Sequence, residues 1–151
     1  MEENTIWSIK PFKELGPDEL YDILRLRSEV FVVEQSCIFQ DMDNLDQEAI
    51  HLQGRIGNKL AATARILDPG VAYEEPSIGR VVSSPMFRRK GVGIELMEKA
   101  IEETERLYGK RPIKIGAQLY LKRFYEGFGF EQCSEMYIED EIPHIKMIRP
   151  L

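Results

Sequence analysis

One unit constrains this chain more than any other. A strand pattern runs from Ser77 to Ser84, the turn Phe87-Arg88-Arg89-Lys90-Gly91-Val92-Gly93 follows, and a helix of about four turns then extends to Tyr108. Pro85 stops the strand, and Met97, Ala100, Ile101, Thr104 and Leu107 form an apolar helical stripe. Glycines let a backbone turn tightly and bring its N–H groups to a ligand with no Cβ in the way. The helix start adds unpaired N–H donors and a partial positive charge. Arg88, Arg89 and Lys90 add three cations in a chain whose 20 Lys and Arg are outnumbered by 26 Asp and Glu, for a net charge of −6. Together these features describe a pyrophosphate cradle. Two other phosphate motifs do not fit it. A nucleotide loop needs Gly-Lys-Ser/Thr, but Ile94 and Glu95 follow Gly93. A dinucleotide fingerprint needs a glycine where Leu96 stands. By itself the turn also fits a basic surface loop that simply starts a helix.

The remaining pattern is mixed. Trp7 to Phe12 predicts a first strand, and Gly16-Pro17 with Asp18 and Glu19 predicts a helix start. Leu20, Ile23, Leu24, Val30 and Phe31 continue at helical spacing. Glu34 to Glu48 reads as an acidic loop with room for a short helix. Ala49–Ile56 and Lys59–Leu67 read as a hairpin turned at Gly57-Asn58. Pro112 to Gly116 predicts a short strand, and Gln118 to Phe128 a helix ended by Gly129. Glu131 to Ile138 and Pro143 to Ile148 predict two final strands. A hairpin followed by strand–helix–strand–helix and more strands implies a mixed α/β sheet with helices on its faces.

Composition narrows the function. A chain of 151 residues with 43% hydrophobic and 30% charged residues predicts one domain with its own core. Net acidity disfavours nucleic acid, which is gripped by positive surfaces. Cys37 and Cys133 are too few for a disulfide framework and predict reduced thiols in a cytoplasmic protein. Met1-Glu2-Glu3 lacks a signal-peptide pattern, and the apolar runs are far short of the roughly 18 residues that span a membrane.

A second cluster lies one helix and one strand beyond the turn: Gln118, then Tyr125 seven residues on, then Gly129-Phe130. With Arg88, Gly91 and Gly93 it resembles the GNAT superfamily of acyl-CoA-dependent N-acetyltransferases. That family's signature is Arg or Gln, two residues, Gly, one residue, then Gly or Ala. Its next motif has Asn where this chain has Gln118, a departure that keeps the side-chain amide. The match is closer to the ElaA-like branch of the family. It is carried by Arg27–Asp43, His51–Gly54, Ala64–Leu67, Ile78–Val82, Gly116–Phe130 and Pro143–Met147, so it spans nearly the whole chain.

The resemblance implies an acyl-CoA N-acyltransferase fold over residues 1–151, with a mostly antiparallel sheet splayed between its fourth strand (Ile78 to Ser83) and fifth (Pro112 to Ala117). It implies acetyl-CoA as co-substrate, with the pantetheine arm in the gap. Val81 and Val82 would offer backbone groups to that arm, and a backbone N–H near Val82 would polarise the thioester carbonyl. Arg88, Arg89, Lys90, Gly91, Val92 and Gly93 would hold the pyrophosphate, with Gln118 and Phe124 beside the cofactor. Direct attack by an amine requires a base for the nitrogen and an acid for the departing sulfur. Tyr125 matches the acid position. A phenol near pKa 10 is slightly more basic than a thiol and can donate to a thiolate. The alternative is that Tyr125 only packs beside Phe124 and Phe128.

The base is open among Glu34, Asp41, His51 and His144, with Glu34 and His144 taken as catalytic. Asp41, His51, Arg65 and Arg80 are expected at the acceptor side, although arginines inside apolar strands also serve as partners for buried acids. The acceptor is read as a small-molecule or peptide amine. Acidity from Glu34 to Glu48 tilts it toward a cationic one. Asp41, Asp43 and Asp46 miss the calcium-loop spacing, and the Cys and His spacings suggest no zinc site. A homodimer is compatible with the resemblance and has no sequence signal of its own. A second reading, from another class, is a non-catalytic module that binds or senses acyl-CoA. A nucleotide-binding protein is the third.

Overall fold

A computed structural model describes residues 4–151. Its strands are β1 (Ile6–Pro11), β2 (Ile50–Ile56), β3 (Lys59–Leu67), β4 (Ser77–Ser83), β5 (Ile113–Gln118), β6 (Glu131–Gln132), β7 (Tyr137–Glu139) and β8 (Ile142–Arg149). Its α-helices are α1 (Pro17–Arg27), α2 (Val92–Tyr108) and α3 (Lys122–Glu126). Strands β1-β2-β3-β4 form one antiparallel sheet, and β5-β8-β6 form another, with β7 also on β8. The sheets meet where the Lys114 N–H donates to the Pro76 carbonyl at 3.1 Å, at the start of both β4 and β5. Beyond that joint the two strands part into a V. This is the splayed mixed fold expected from the resemblance.

Local chemistry explains most elements. Gly57 takes a φ of +63° and Asn58 does not, as a glycine-first hairpin turn requires. Pro17 opens α1, and the Glu19 carboxylate reaches back to the Gly16 N–H at 2.9 Å. That bond, with Gln53 and Lys10, brings the Glu19 carboxyl down to about 2. Pleat alternation sends Leu52, Ala62, Ala64 and Ile66 to the α2 side, where they pack with Leu96, Met97, Ala100 and Ile101. His51, Gln53, Thr63 and Arg65 alternate with them and are also buried. Gln53 reaches Glu19 of α1 at 2.8 Å.

Three expectations need correction. After Arg27 the chain widens into a π-helical turn over Ser28–Glu34, where the Gln35 N–H reaches the Val30 carbonyl at 3.1 Å. The helix expected over Gln118–Phe128 shrinks to a 3₁₀ turn at Leu119–Leu121 and the five residues of α3. Gln118 is extended and paired with His144, so β5 holds it. The single strand expected over Glu131–Ile138 divides into β6 and β7. Between them the Ser134 hydroxyl accepts the Lys146 N–H at 2.9 Å, which draws the chain off the ladder.

Candidate active site

The V between β4 and β5 holds a cavity of about 450 Å³. Its β4 wall is irregular. Thr63 pairs with Val82 and Arg65 with Gly79, so β4 carries one residue more than β3 over this stretch. Arg80 takes a φ of +49°, and neither it nor Val81 has a Cα partner on β3. The bulge therefore leaves backbone N–H and C=O groups free of the ladder along the cavity wall. Asp41 holds Arg80 there: Nη2 donates to the Asp41 carbonyl at 2.7 Å and Nε lies 2.8 Å from Oδ1. Val82 also lines the cavity.

At the mouth, Arg89 and Gly91 both take left-handed φ, at 71° and 75°, before α2 begins at Val92. The Val92 side chain is in the core, which leaves its backbone as the part open to a ligand. Gly93 lines the cavity, and a Cβ added to Gly91 or Gly93 would meet nothing within 4 Å. Gly93 also has no positive φ to demand a glycine. Packing does not require it, so the bare space above the start of α2 is what a bulky anion needs. Arg88 pairs with Glu34 through two hydrogen bonds of 2.8 and 2.6 Å. That guanidinium holds the Glu34 carboxyl below its ordinary range. Lys90 and Arg89 are exposed, with the Lys90 Nζ 5.9 Å from the Phe87 ring centre.

On the β5 side, Gln118 and Gln35 exchange amide hydrogen bonds of 3.2 and 3.0 Å across the cavity. Phe124 and Tyr125 line it too. Tyr125 is 7% exposed and meets Phe124 and Phe130 edge-on. Its hydroxyl has no hydrogen-bond partner among the described residues. Burial pushes the phenol well above 10, so it stays protonated.

At the far end, His144 lines the cavity and stacks on Tyr137, with ring centres 5.8 Å apart. Its Nδ1 is 2.7 Å from the Ile142 carbonyl. A carbonyl only accepts, so Nδ1 donates, and Nε2 carries the lone pair in the neutral ring. Nε2 is 3.6 Å from the Glu139 carboxylate.

The residues expected at the acceptor side have other partners. Arg27, Asp46, Arg65, Asp43, Arg80 and Asp41 form a closed ring in which each arginine touches two aspartates and each aspartate two arginines. Burial alone would raise Asp43 and Asp46, but the guanidiniums of Arg65, Arg27 and Arg80 hold both carboxyls below their usual range. Asp41 and Arg80 reach the cavity wall; Arg65 and His51 do not. His51 is 1% exposed, with Nε2 at 2.8 Å from the Asp46 carbonyl. Burial lowers its pKa and keeps it neutral.

Sequence reasoning missed Gln35, Cys37, Phe39, Gly116 and Tyr120, which also line the cavity. Gly116 alone left a signal, as a glycine inside a strand. Among the described residues no three His, Cys, Asp or Glu side chains form a metal cluster, and no helix is long and apolar enough to cross a membrane.

A bulged strand with free backbone groups, an open glycine turn and a buried phenol can hold a long phosphate-bearing thioester and assist its cleavage. Comparison with known proteins agrees. A family profile described as the acetyltransferase (GNAT) domain matches residues 23–151. The protein ElaA of Escherichia coli is 41% identical over 145 residues, covering 95% of each chain. A UPF0039 protein of Synechocystis is 39% identical, over 94% of this chain and 93% of that protein. The crystal structure of an acyl-CoA N-acyltransferase from Pseudomonas aeruginosa superposes with a TM-score of 0.91 at 43% identity, over 96% of this chain and 99% of that one. Escherichia coli ElaA superposes with a TM-score of 0.89 at 40% identity, with the same coverage.

Proposed function

This chain belongs to the GNAT acetyltransferase family, and from that premise we propose that it transfers an acetyl group from acetyl-CoA directly to a primary amine of a small molecule or peptide, acting as one domain over residues 1–151. The observation that carries the reading is the cavity in the V, where the β4 bulge, the glycine turn and Tyr125 converge. The turn from Arg88 to Gly93 would hold the pyrophosphate by its backbone amides and basic side chains. Backbone groups at Val81 and Val82 would take the pantetheine amides and polarise the thioester carbonyl. Gln118 and Phe124 would flank the arm. The bound thioester supplies an activated acyl group.

His144 is the better base of the two assigned. Its side chain lines the cavity and its Nδ1 is engaged by the Ile142 carbonyl, which leaves Nε2 as the nitrogen to accept a proton, whereas the Glu34 carboxylate is weakened as a base by its pairing with Arg88. Nε2 takes the proton that the amine sheds as its nitrogen bonds to the acyl carbon. Tyr125 acts at the sulfur. Burial makes its phenol a weaker acid than a free one, so full transfer to a thiolate runs uphill. A hydrogen bond from the hydroxyl to the developing thiolate suits that raised value better. The thiolate leaves on that hydrogen bond and takes its proton from solvent, His144 returns the amine's proton to solvent, and the products are an amide and free CoA thiol.

Release of free thiol from acetyl-CoA, followed across a panel of amines, tests the reading. Amine-dependent release is expected. Binding of acetyl-CoA without release for any amine would instead make the chain a binding or sensing module.

A further inference from the structure

Beside His144 the second sheet carries a cluster that acyl transfer alone does not use. Lys114 and Gly116 point to one face of β5, and Gly116 pairs with Lys146 on β8. His144, two residues before Lys146, shares that face and pairs with Tyr137 on β7. Tyr73, from the loop before β4, lies over the same place. The Lys114 and Lys146 ammonium groups stand 5.2 and 5.6 Å from the centre of the Tyr73 ring, and Lys146 is also 5.9 Å from that of Tyr137. Neither lysine has a carboxylate within 4.0 Å among the described residues. A Cβ added to Gly116 would lie 3.1 Å from the Tyr73 hydroxyl and 3.2 Å from that of Tyr137. Both hydroxyls therefore reach over bare backbone, and neither has a protein hydrogen-bond partner among the described residues. Burial, with Glu139 nearby, raises both phenols, Tyr137 to about 12, so both remain donors.

We propose that this face is an anion subsite, formed by Lys114, Lys146, Tyr73 and Tyr137 over Gly116, and that the acceptor is an amine carrying a carboxylate or phosphate a few bonds from its nitrogen. The inference rests on the acyl-transfer reading above for the amine's place at His144. Two cations crowded on one ring without a counter-ion repel each other, and a bound anion relieves that repulsion. Two ammonium groups and two phenol hydroxyls gather around the Tyr73 ring and Gly116, which suits carboxylate or phosphate oxygens. The amine end is placed at His144, where the Glu139 carboxylate lies 3.6 Å from Nε2 and at the edge of the anion subsite. Alternate strand residues lie about 6–7 Å apart, so His144 and Lys146 grip opposite ends of a short zwitterion. The four side chains adjoin the cavity at Gly116 and His144, while Glu139 and Asp140 are among its lining residues. Of the carboxylates from Glu34 to Glu48 that suggested a cationic acceptor, Glu34, Asp41, Asp43 and Asp46 are each already paired with arginine, and Glu48 does not line the cavity.

Four short amines separate the possibilities with acetyl-CoA as donor: β-alanine, O-phosphoethanolamine, ethanolamine and 1,3-diaminopropane. The carboxylate or phosphate amine is expected to show kcat/KM at least tenfold above the other two, and the two anionic arms tell which anion fits. Lys146→Met, with Lys114→Met as a second variant, should erase that advantage through KM for the amine and leave KM for acetyl-CoA unchanged. Equal or better use of ethanolamine or the diamine, or an anionic preference that survives both substitutions, overturns the subsite. Calorimetry on the protein saturated with CoA reads the subsite apart from turnover. β-Alanine or O-phosphoethanolamine binding that Lys146→Met abolishes supports it even where no amine is acetylated, a result that would sink the transfer reading alone. Absence of such binding overturns the subsite.

Discussion

The first sheet has two faces built on opposite principles. Toward α2, Leu52, Ala62, Ala64, Ile66 and Ile78 meet Leu96, Met97, Ala100 and Ile101 in an apolar layer. Toward α1, the same strands bury His51, Gln53, Thr63 and Arg65, and a closed ring of three arginines and three aspartates ties the end of α1 to the 41–46 loop and to β4. The apolar face stabilises through area removed from water and tolerates many packings. The ionic face gains little net stability over an apolar replacement, because burying charge costs about what pairing returns. What it fixes is position: it holds Arg80 in the left-handed bulge that opens the β4 wall. One face carries the fold, and the other shapes the cavity.

Breaking the ring should give the largest stability loss. Asp46→Ala leaves Arg27 and Arg65 buried without a shared partner, and urea denaturation should show a loss of about 3–5 kcal/mol. Leu96→Ala, on the other face, should cost about 2–5 kcal/mol through its cavity, by the same amount at pH 7 and pH 5.

Acid should separate the faces more finely. Asp43, Asp46 and His51 all have folded pKa values below their unfolded ones. Each contributes stability that is complete above its unfolded pKa and is lost as pH falls toward its folded one. Stability should therefore begin to drop below about pH 6.5, where unfolded His51 takes a proton, and continue below about pH 4 as the aspartates follow. In His51→Gln the upper part of that decline should vanish. A decline unchanged in the variant would remove His51 from the account.

The smaller expected effects lie in the cavity. Tyr125→Phe should lower turnover about tenfold, some 1.4 kcal/mol in the barrier, with little change in acetyl-CoA affinity. Stopped assays of thiol release and equilibrium titration read the two separately.

The contrast also explains what was legible in the sequence. Periodicity exposed the apolar face, since Met97, Ala100 and Ile101 recur at helical spacing and the Gly57-Asn58 turn marks its hairpin. The resemblance marked Arg88, Gly93 and Tyr125, which line the cavity, through motifs that each lie within one short segment. The ionic ring joins residues as far apart as Arg27 and Arg80, and nothing local says that Asp41 will meet either. Hence Asp41, His51, Arg65 and Arg80 were expected at the acceptor, while most of their polar capacity is spent inside the protein. Gln35 and Cys37 were hidden by the π-helical turn, which shifts the chain out of α-helical phase before it crosses the cavity.

If the chain binds acetyl-CoA as proposed, the open glycine turn serves that ligand and not packing. Gly93→Ala tests it, because the added methyl meets no atom within 4 Å and favours the helix by up to about 1 kcal/mol. Calorimetric titration with acetyl-CoA should find one site on the parent protein, and binding at least tenfold weaker to a variant whose Tm is equal or higher. Equal affinity for both proteins, or no binding of acetyl-CoA by either, would contradict the account.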